Sequence, residues 1–192
     1  MKIFTGNKLE TLAERLARVL ASRPPDALEP EVIVVRSLGM ERWVSMELAR
    51  RLGICANCSF PFPKSFVRDM FGQVLPGVTE EQKSFFDPGV MALKIMQLLP
   101  GLLERPAFSG LRAYLGRERQ GLKSIQLASR IARVFDQYQL YRPQMILDWN
   151  RGNPGPGGRS QPWQFELWRE ITAGHRGLDR AGLREKFFAW AD

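Results

Sequence analysis

Only two cysteines and one histidine occur in this 192-residue chain, and that scarcity removes several kinds of chemistry at once. A zinc centre takes four ligands as a rule, and Cys55, Cys58 and the distant His175 do not supply them. Nor is the C-x-x-C pair placed as a redox centre. It follows the expected end of a helix at Gly53, whereas a helix N-terminus is what lowers a thiol pKa. The two residues read as small, half-buried apolar groups, and so few cysteines suit a reducing cytoplasm. Apolar runs of membrane-spanning length are missing too, and the chain opens on a strand-like Lys2-Ile3-Phe4 where a signal peptide would be apolar for longer. A soluble, cytoplasmic protein with no membrane partner is expected.

The phosphate loop G-x-x-x-x-G-K-[ST] is also absent. The turn after the first expected strand is only Thr5-Gly6-Asn7-Lys8-Leu9, too short to cradle a triphosphate, so an ATPase is not expected. Clustered carboxylates for a nuclease metal are lacking, and Glu80-Glu81 is placed where a helix dipole favours acids. His175 lies in a Gly174-His175-Arg176-Gly177 turn with no partner for a catalytic triad. No cofactor, metal or small-molecule substrate is therefore expected, and no covalent chemistry.

What the chain has in excess is positive charge: 28 Lys and Arg against 20 Asp and Glu, a formal +8. Such a balance favours a polyanionic partner, because each phosphate neutralised releases counterions. Most of the excess is arginine, whose planar fork suits phosphates and base edges.

Along the chain, Asn7 and Glu10 form a candidate capping box for a helix with Leu9, Leu12, Ala13, Leu16 and Leu20 on one face. Pro24 and Pro25 end it. Ile33-Val34-Val35 reads as a buried strand, and Met40 to Leu52 as a second helix with Trp43, Met46 and Leu48 inward and Gly53 as its stop. The order is β-α-β-α. Phe60-Pro61-Phe62-Pro63 must be extended, since each proline excludes its predecessor from helix, and Ser65 then starts a short helix. Beyond about residue 76 strand signals vanish. Helices are expected from Pro88, from Pro106, from Leu122 to Leu140, from Trp163 to Thr172 and from Arg180 to Trp190, with a loop from Arg151 to Pro162. The closing Phe187-Phe188-Ala189-Trp190 looks like a helix cut short, as in a fragment of a longer chain.

Two places stand out for function. The strand-to-helix junction at Arg36-Ser37-Leu38 and Arg42 lies where α/β proteins bind ligands, beyond the carboxyl end of a strand and at a helix N-terminus. The other is Asp136-Gln137-Tyr138-Gln139-Leu140-Tyr141-Arg142-Pro143. Gln137 suits a base edge, Arg142 guanine or phosphate, Asp136 cytosine, and the tyrosines unpaired bases. An ordinary helix end, with Arg142 against the dipole and the tyrosines in the core, explains the same residues, and alone they favour it.

Taken together, Ser37-Leu38-Gly39-Met40 with Trp43, Gly53-Ile54, Asn57, Phe60-Pro61-Phe62-Pro63 with Ser65-Phe66, Asp69-Met70-Phe71, Leu98-Leu99-Pro100, Phe135-Asp136-Gln137-Tyr138 and Tyr141-Arg142-Pro143 resemble the N-terminus of the RecC family. These are the gamma subunits of exodeoxyribonuclease V, the RecBCD helicase-nuclease. The resemblance implies an α/β fold of the superfamily 1 helicase type: a degenerate, P-loop NTPase-like, RecA-like 1A domain without its Walker motif over residues 1–75. A mostly helical 1B-type domain would follow over 76–192. It also implies a non-catalytic subunit of an ATP-dependent complex, with RecB-like and RecD-like partners. Such a subunit contacts forked duplex and scans the emerging single strand for the recombination signal Chi.

Carried over position by position, the resemblance implies DNA contacts by Arg36, Leu38 and Arg42 at the junction, Phe62 in the proline segment and Arg68 in the next helix. In the second half it implies Arg133, Val134, Asp136, Gln137, Arg142 and Arg180. The first group departs from the family pattern, since Arg36, Leu38, Arg42 and Arg68 stand where the best-known members have glutamines, a threonine and a tryptophan. Exchanging amides for arginines changes both charge and hydrogen-bond code, so a different signal, or none, would be read. The other class of function is an interaction scaffold, in which these arginines pair with acids on RecB and no base is read.

Overall fold

The computed structural model describes residues 2–22, 29–79, 84–116 and 121–191. These fall into two compact units, Met1–Asp69 and Met70–Asp192. Among the described residues the architecture is mostly helical, with a parallel sheet of two short strands in the first unit and helices alone in the second, so the expected α/β part is present but much smaller than expected.

In the first unit, helix α1 (Leu9–Ala21) packs against α2 (Leu38–Leu52). Ala17, Val44 and Leu48 form the centre of that contact, with Leu16, Leu20, Ile33, Trp43 and Phe60 around them. The inward side of α2 runs through Val44 and Leu48, one helical turn apart. Met46, expected inside, is 72% exposed because it lies on the opposite face. Strands β1 (Glu31–Val32) and β2 (Cys58–Ser59) pair in parallel, Glu31 opposite Cys58 and Val32 opposite Ser59. Their ladder continues past the strands proper: Ile33 N–H donates to Ser59 O at 2.8 Å and Val35 N–H to Pro61 O at 3.1 Å.

Lys2-Ile3-Phe4 forms no strand. Ile3 is exposed, and the Arg15 guanidinium lies 5.0 Å over the Phe4 ring, a contact to a helix side chain and not to a sheet. With no strand there, the β-α-β-α order is not realised. The capping box is not formed either, for Lys8 is the N-cap of α1 and makes no side-chain cap. Pro24, Pro25 and the Glu80-Glu81 pair lie outside the described residues.

Helix α3 (Pro63–Val74) begins at Pro63, two residues before the expected Ser65, since a proline is well suited to a first helical turn. In the second unit, α4 (Pro88–Leu102) lies along α6 (Leu122–Tyr141), and α5 (Ser109–Leu115) follows a 3₁₀ turn at Pro106–Phe108. The chain then turns through α7 (Pro143–Asn150), α8 (Gly155–Ser160), α9 (Pro162–Ile171) and α10 (Arg180–Ala191). Phe135, Trp149 and Trp168 are fully buried at the centre, Phe135 edge-on to Trp168 at 5.4 Å and to Trp149 at 6.4 Å. Such edge-to-face pairs add to the burial of their large areas.

Helix α8 occupies what was expected to be loop. Trp149 Nε1–H donates to Pro154 O at 3.0 Å, and Gly158 is buried where a Cβ would stand 2.8 Å from Pro154 Cβ and 3.1 Å from Phe165 Cβ. Gly157, where a Cβ would stand 2.9 Å from Met145 Sδ, and Gly158 serve close packing, whereas Gly155 has open space around it and takes φ +57°. His175 stacks flat on Phe85 with ring centroids 4.1 Å apart.

Candidate nucleic-acid interface

The two extended segments of the first unit end side by side, and each feeds a helix. Val35 donates to Pro61 O, the next residues are Arg36 and Phe62, and α2 and α3 start at Leu38 and Pro63. Ser37 is extended (φ −158°) and its Oγ accepts the Met40 N–H at 3.2 Å, so this hydroxyl serves the helix as its N-cap. Leu38 is 62% exposed and Phe62 39%, which leaves two apolar side chains uncovered beside the helix starts. Arg36 and Arg42 are exposed and form no ion pair with a described acid. Arg68 is half-buried, its Nε 3.8 Å from Asp69 Oδ1. The structure thus gathers Arg36, Leu38, Arg42 and Phe62 at one end of the unit and turns Arg68 toward an acid.

The second group lies at the end of α6. Arg142 has left the helix (φ −133°, ψ 49°), as a residue preceding proline must, yet its N–H still donates to Tyr138 O at 2.9 Å. Its guanidinium sits 5.3 Å from the centroid of the Tyr138 ring. That ring is held in turn by its hydroxyl on Gln164 Oε1 at 3.2 Å. A guanidinium on an aromatic face keeps its charge and its edge donors while losing freedom. Gln137 and Arg133 are exposed, Val134 is half-buried and Tyr141 is 76% exposed, so the tyrosine core of the helix-end reading holds for Tyr138 alone.

Asp136 and Arg180 meet as an ion pair, Oδ1 to Nη2 3.6 Å. Beneath them lies a residue that sequence reasoning does not single out. Gln139 is buried, its Oε1 accepting the Arg180 backbone N–H at 3.0 Å and its Nε2 donating to Phe135 O at 3.5 Å. Its signal is an amide at helical spacing from Ile131 and Phe135 on the apolar face. Asp179 is likewise fully buried: Oδ1 accepts the Gly182 N–H at 3.0 Å and Oδ2 the Asn150 amide at 2.6 Å. An Asp just before a helix is an N-cap signal. Burial pushes its carboxyl above the ordinary value, against the pull of these hydrogen bonds.

Cys55 and Cys58 are free and half-buried. Burial first, then hydrogen bonding to Cys55, pushes the Cys58 thiol up to about 11. A thiol so protonated is a packing group.

A family profile described as RecC, N-terminal domain, matches residues 1–191. The chain belongs to the RecC N-terminal domain family. The RecBCD enzyme subunit RecC of Escherichia coli (strain K12) is 40% identical over 195 residues, covering 97% of this chain and 17% of that protein. Its RecC counterpart in Haemophilus influenzae is 34% identical over 97% of this chain and 19% of its own length. That of Mycolicibacterium smegmatis is 28% identical over 89% of this chain and 15% of its own. The chain therefore spans less than a fifth of the length of these RecC relatives. No helix among the described residues is long and apolar enough to cross a membrane.

Proposed function

We propose that this chain is the DNA-contacting N-terminal part of a RecC-type subunit in an exodeoxyribonuclease V complex. It is a non-catalytic, helicase-like element of recombinational double-strand-break repair in the cytoplasm, working beside RecB-like and RecD-like subunits. Residues 1–75 act as the remnant of a RecA-like 1A domain and 76–192 as a 1B-type domain. Between them they guide single-stranded DNA from forked duplex.

One observation carries this reading. Arg36, Arg42, Arg133 and Arg142 are all exposed, and none forms an ion pair with a described acid, whereas Arg18, Arg51, Arg105 and Arg151 elsewhere do. Unpaired guanidinium groups beside exposed Leu38, Phe62 and Tyr141 offer phosphates a cation and bases an apolar surface. With Arg36 and Arg42 at amide positions of the family pattern, the strand-helix junction reads a signal other than Chi, or none. Stalling of the complete complex at Chi as strong as at any other sequence it prefers would contradict that last point.

The scaffold reading makes opposite demands on the same residues. In the complete complex, Gln137→Ala and Arg142→Ala should leave assembly intact in size-exclusion chromatography and weaken single-strand binding. Lost assembly with unchanged DNA binding would give the site to a protein partner instead.

A further inference from the structure

We propose that a second nucleotide subsite lies in an open groove between α5 and α6, where an unpaired base of single-stranded DNA stacks on Tyr114 and its phosphate meets Arg130. This rests on the reading of α6 as a DNA-contacting helix and extends it away from Arg142.

The exposed side of α6 carries Lys123, Gln126, Arg130, Arg133, Gln137 and Tyr141, at steps of three or four residues that keep them on one face. From Lys123 to Tyr141 this stripe is about 27 Å long at 1.5 Å per residue. Asp136 is the sole acid in the α6 sequence, and it is turned to Arg180. The stripe is therefore cationic and amide-bearing throughout its length. Beside its first half is a groove of about 410 Å³, lined by Leu111, Tyr114, Gln126, Leu127 and Arg130.

Those five side chains supply what an unpaired nucleotide needs. Tyr114 is 53% exposed, and Lys123 Nζ lies over one face of its ring, 5.3 Å from the centroid, so the base stacks on the other face. Leu111 and Leu127 are half-buried and give the groove an apolar floor. Gln126 offers both a donor and an acceptor to a base edge. Arg130 is exposed, forms no ion pair with a described acid, and so keeps its charge for a phosphate. Aromatic surface, an amide and the Arg130 cation together favour a single strand over a duplex, whose bases are stacked away from side chains. They equally disfavour an acidic peptide, which has no use for an aromatic platform.

The test is fluorescence anisotropy of the full chain with a labelled twenty-residue oligothymidylate, over a salt series. Tyr114→Ala and Arg130→Glu should each weaken binding about tenfold, while Tyr114→Phe, which still stacks, stays within about twofold of wild type. Arg130→Ala should lower the salt slope by about 0.7, the share of one phosphate contact on a single strand. Circular dichroism of each variant, with Arg130→Lys as the conservative partner, separates lost contacts from lost folding. Wild-type affinity in Tyr114→Ala and Arg130→Glu, with a loss in Arg142→Ala, would overturn this subsite and leave the proposed function standing. The reverse pattern would support the subsite and overturn the role of Arg142. No binding by wild type at low salt would overturn both. Normal DNA binding with failed assembly of the complex in the groove variants would make the groove a protein-docking surface, and this proposal would fall.

Discussion

The carboxylate of Asp136 on α6 meets the guanidinium of Arg180 on α10, Oδ1 to Nη2 3.6 Å, with both side chains about a quarter exposed. Arg180 thus neutralises the one negative charge on a helix otherwise suited to phosphates. Arg180→Ala should weaken single-strand binding several-fold by releasing that charge, and adding Asp136→Asn should restore most of it. Anisotropy on the two variants decides. A loss that Asp136→Asn does not repair would mean Arg180 touches DNA itself.

Gln139 joins the same two helices out of sight of solvent. Its Oε1 accepts the Arg180 N–H, one of the donors that a helix start leaves without an internal partner. Gln139→Leu keeps the volume and strands that donor, so a loss of about 1–3 kcal/mol in urea unfolding is expected. DNA affinity under native conditions should be unchanged. An unaltered unfolding midpoint would show that the amide is not needed.

How far the fold was legible depended on whether burial or pairing decided each segment. The long helix α6 could be read from Ala128, Ile131, Ala132 and Phe135, because all four are buried and their spacing is the helix period. Gly53, which ends α2, was legible for a local reason, since it takes φ +83°; the start was not, for α2 begins at Leu38 behind the Ser37 cap, two residues before the expected Met40. Lys2-Ile3-Phe4 was misread because strand-like residues make a strand only beside a partner. Gly155–Ser160 was misread because glycines that serve close packing have the same letters as glycines that serve a loop. The arginines of the candidate site were visible in the sequence. Which of them had acids to pair with was not, since Asp136 and Arg180 are brought together by tertiary packing.

Asp179 gives the fold a pH dependence of definite sign. Burial raises its carboxyl above the ordinary 3.8, so the native state holds the proton more tightly than the unfolded chain. Its stabilising contribution is complete below that value and is lost as pH rises through the raised one. The stability of wild type relative to Asp179→Asn should therefore fall as pH increases across the acid range and then level off. Urea unfolding of the two proteins through that range measures the difference; a rise with pH would contradict the assignment.

Cys58 should be a poor nucleophile. With its pKa pushed up to about 11, the thiolate fraction at mild alkaline pH is roughly a hundredfold below that of a thiol at the ordinary 9.0. Iodoacetamide labelling followed by mass spectrometry should be slow in the folded protein and fast in denaturant. Rapid labelling when folded would show an activated C-x-x-C pair.

Arg36, Arg42 and Arg142, exposed and without an ion pair to a described acid, are the residues proposed to hold single-stranded DNA. The most direct measurement compares the salt dependence of single-strand and duplex binding for wild type, Arg142→Ala and the double variant Arg36→Ala/Arg42→Ala. Salt-sensitive binding that favours the single strand is expected, with the slope falling by about 0.7 for each arginine removed. Equal slopes in all three proteins would contradict it.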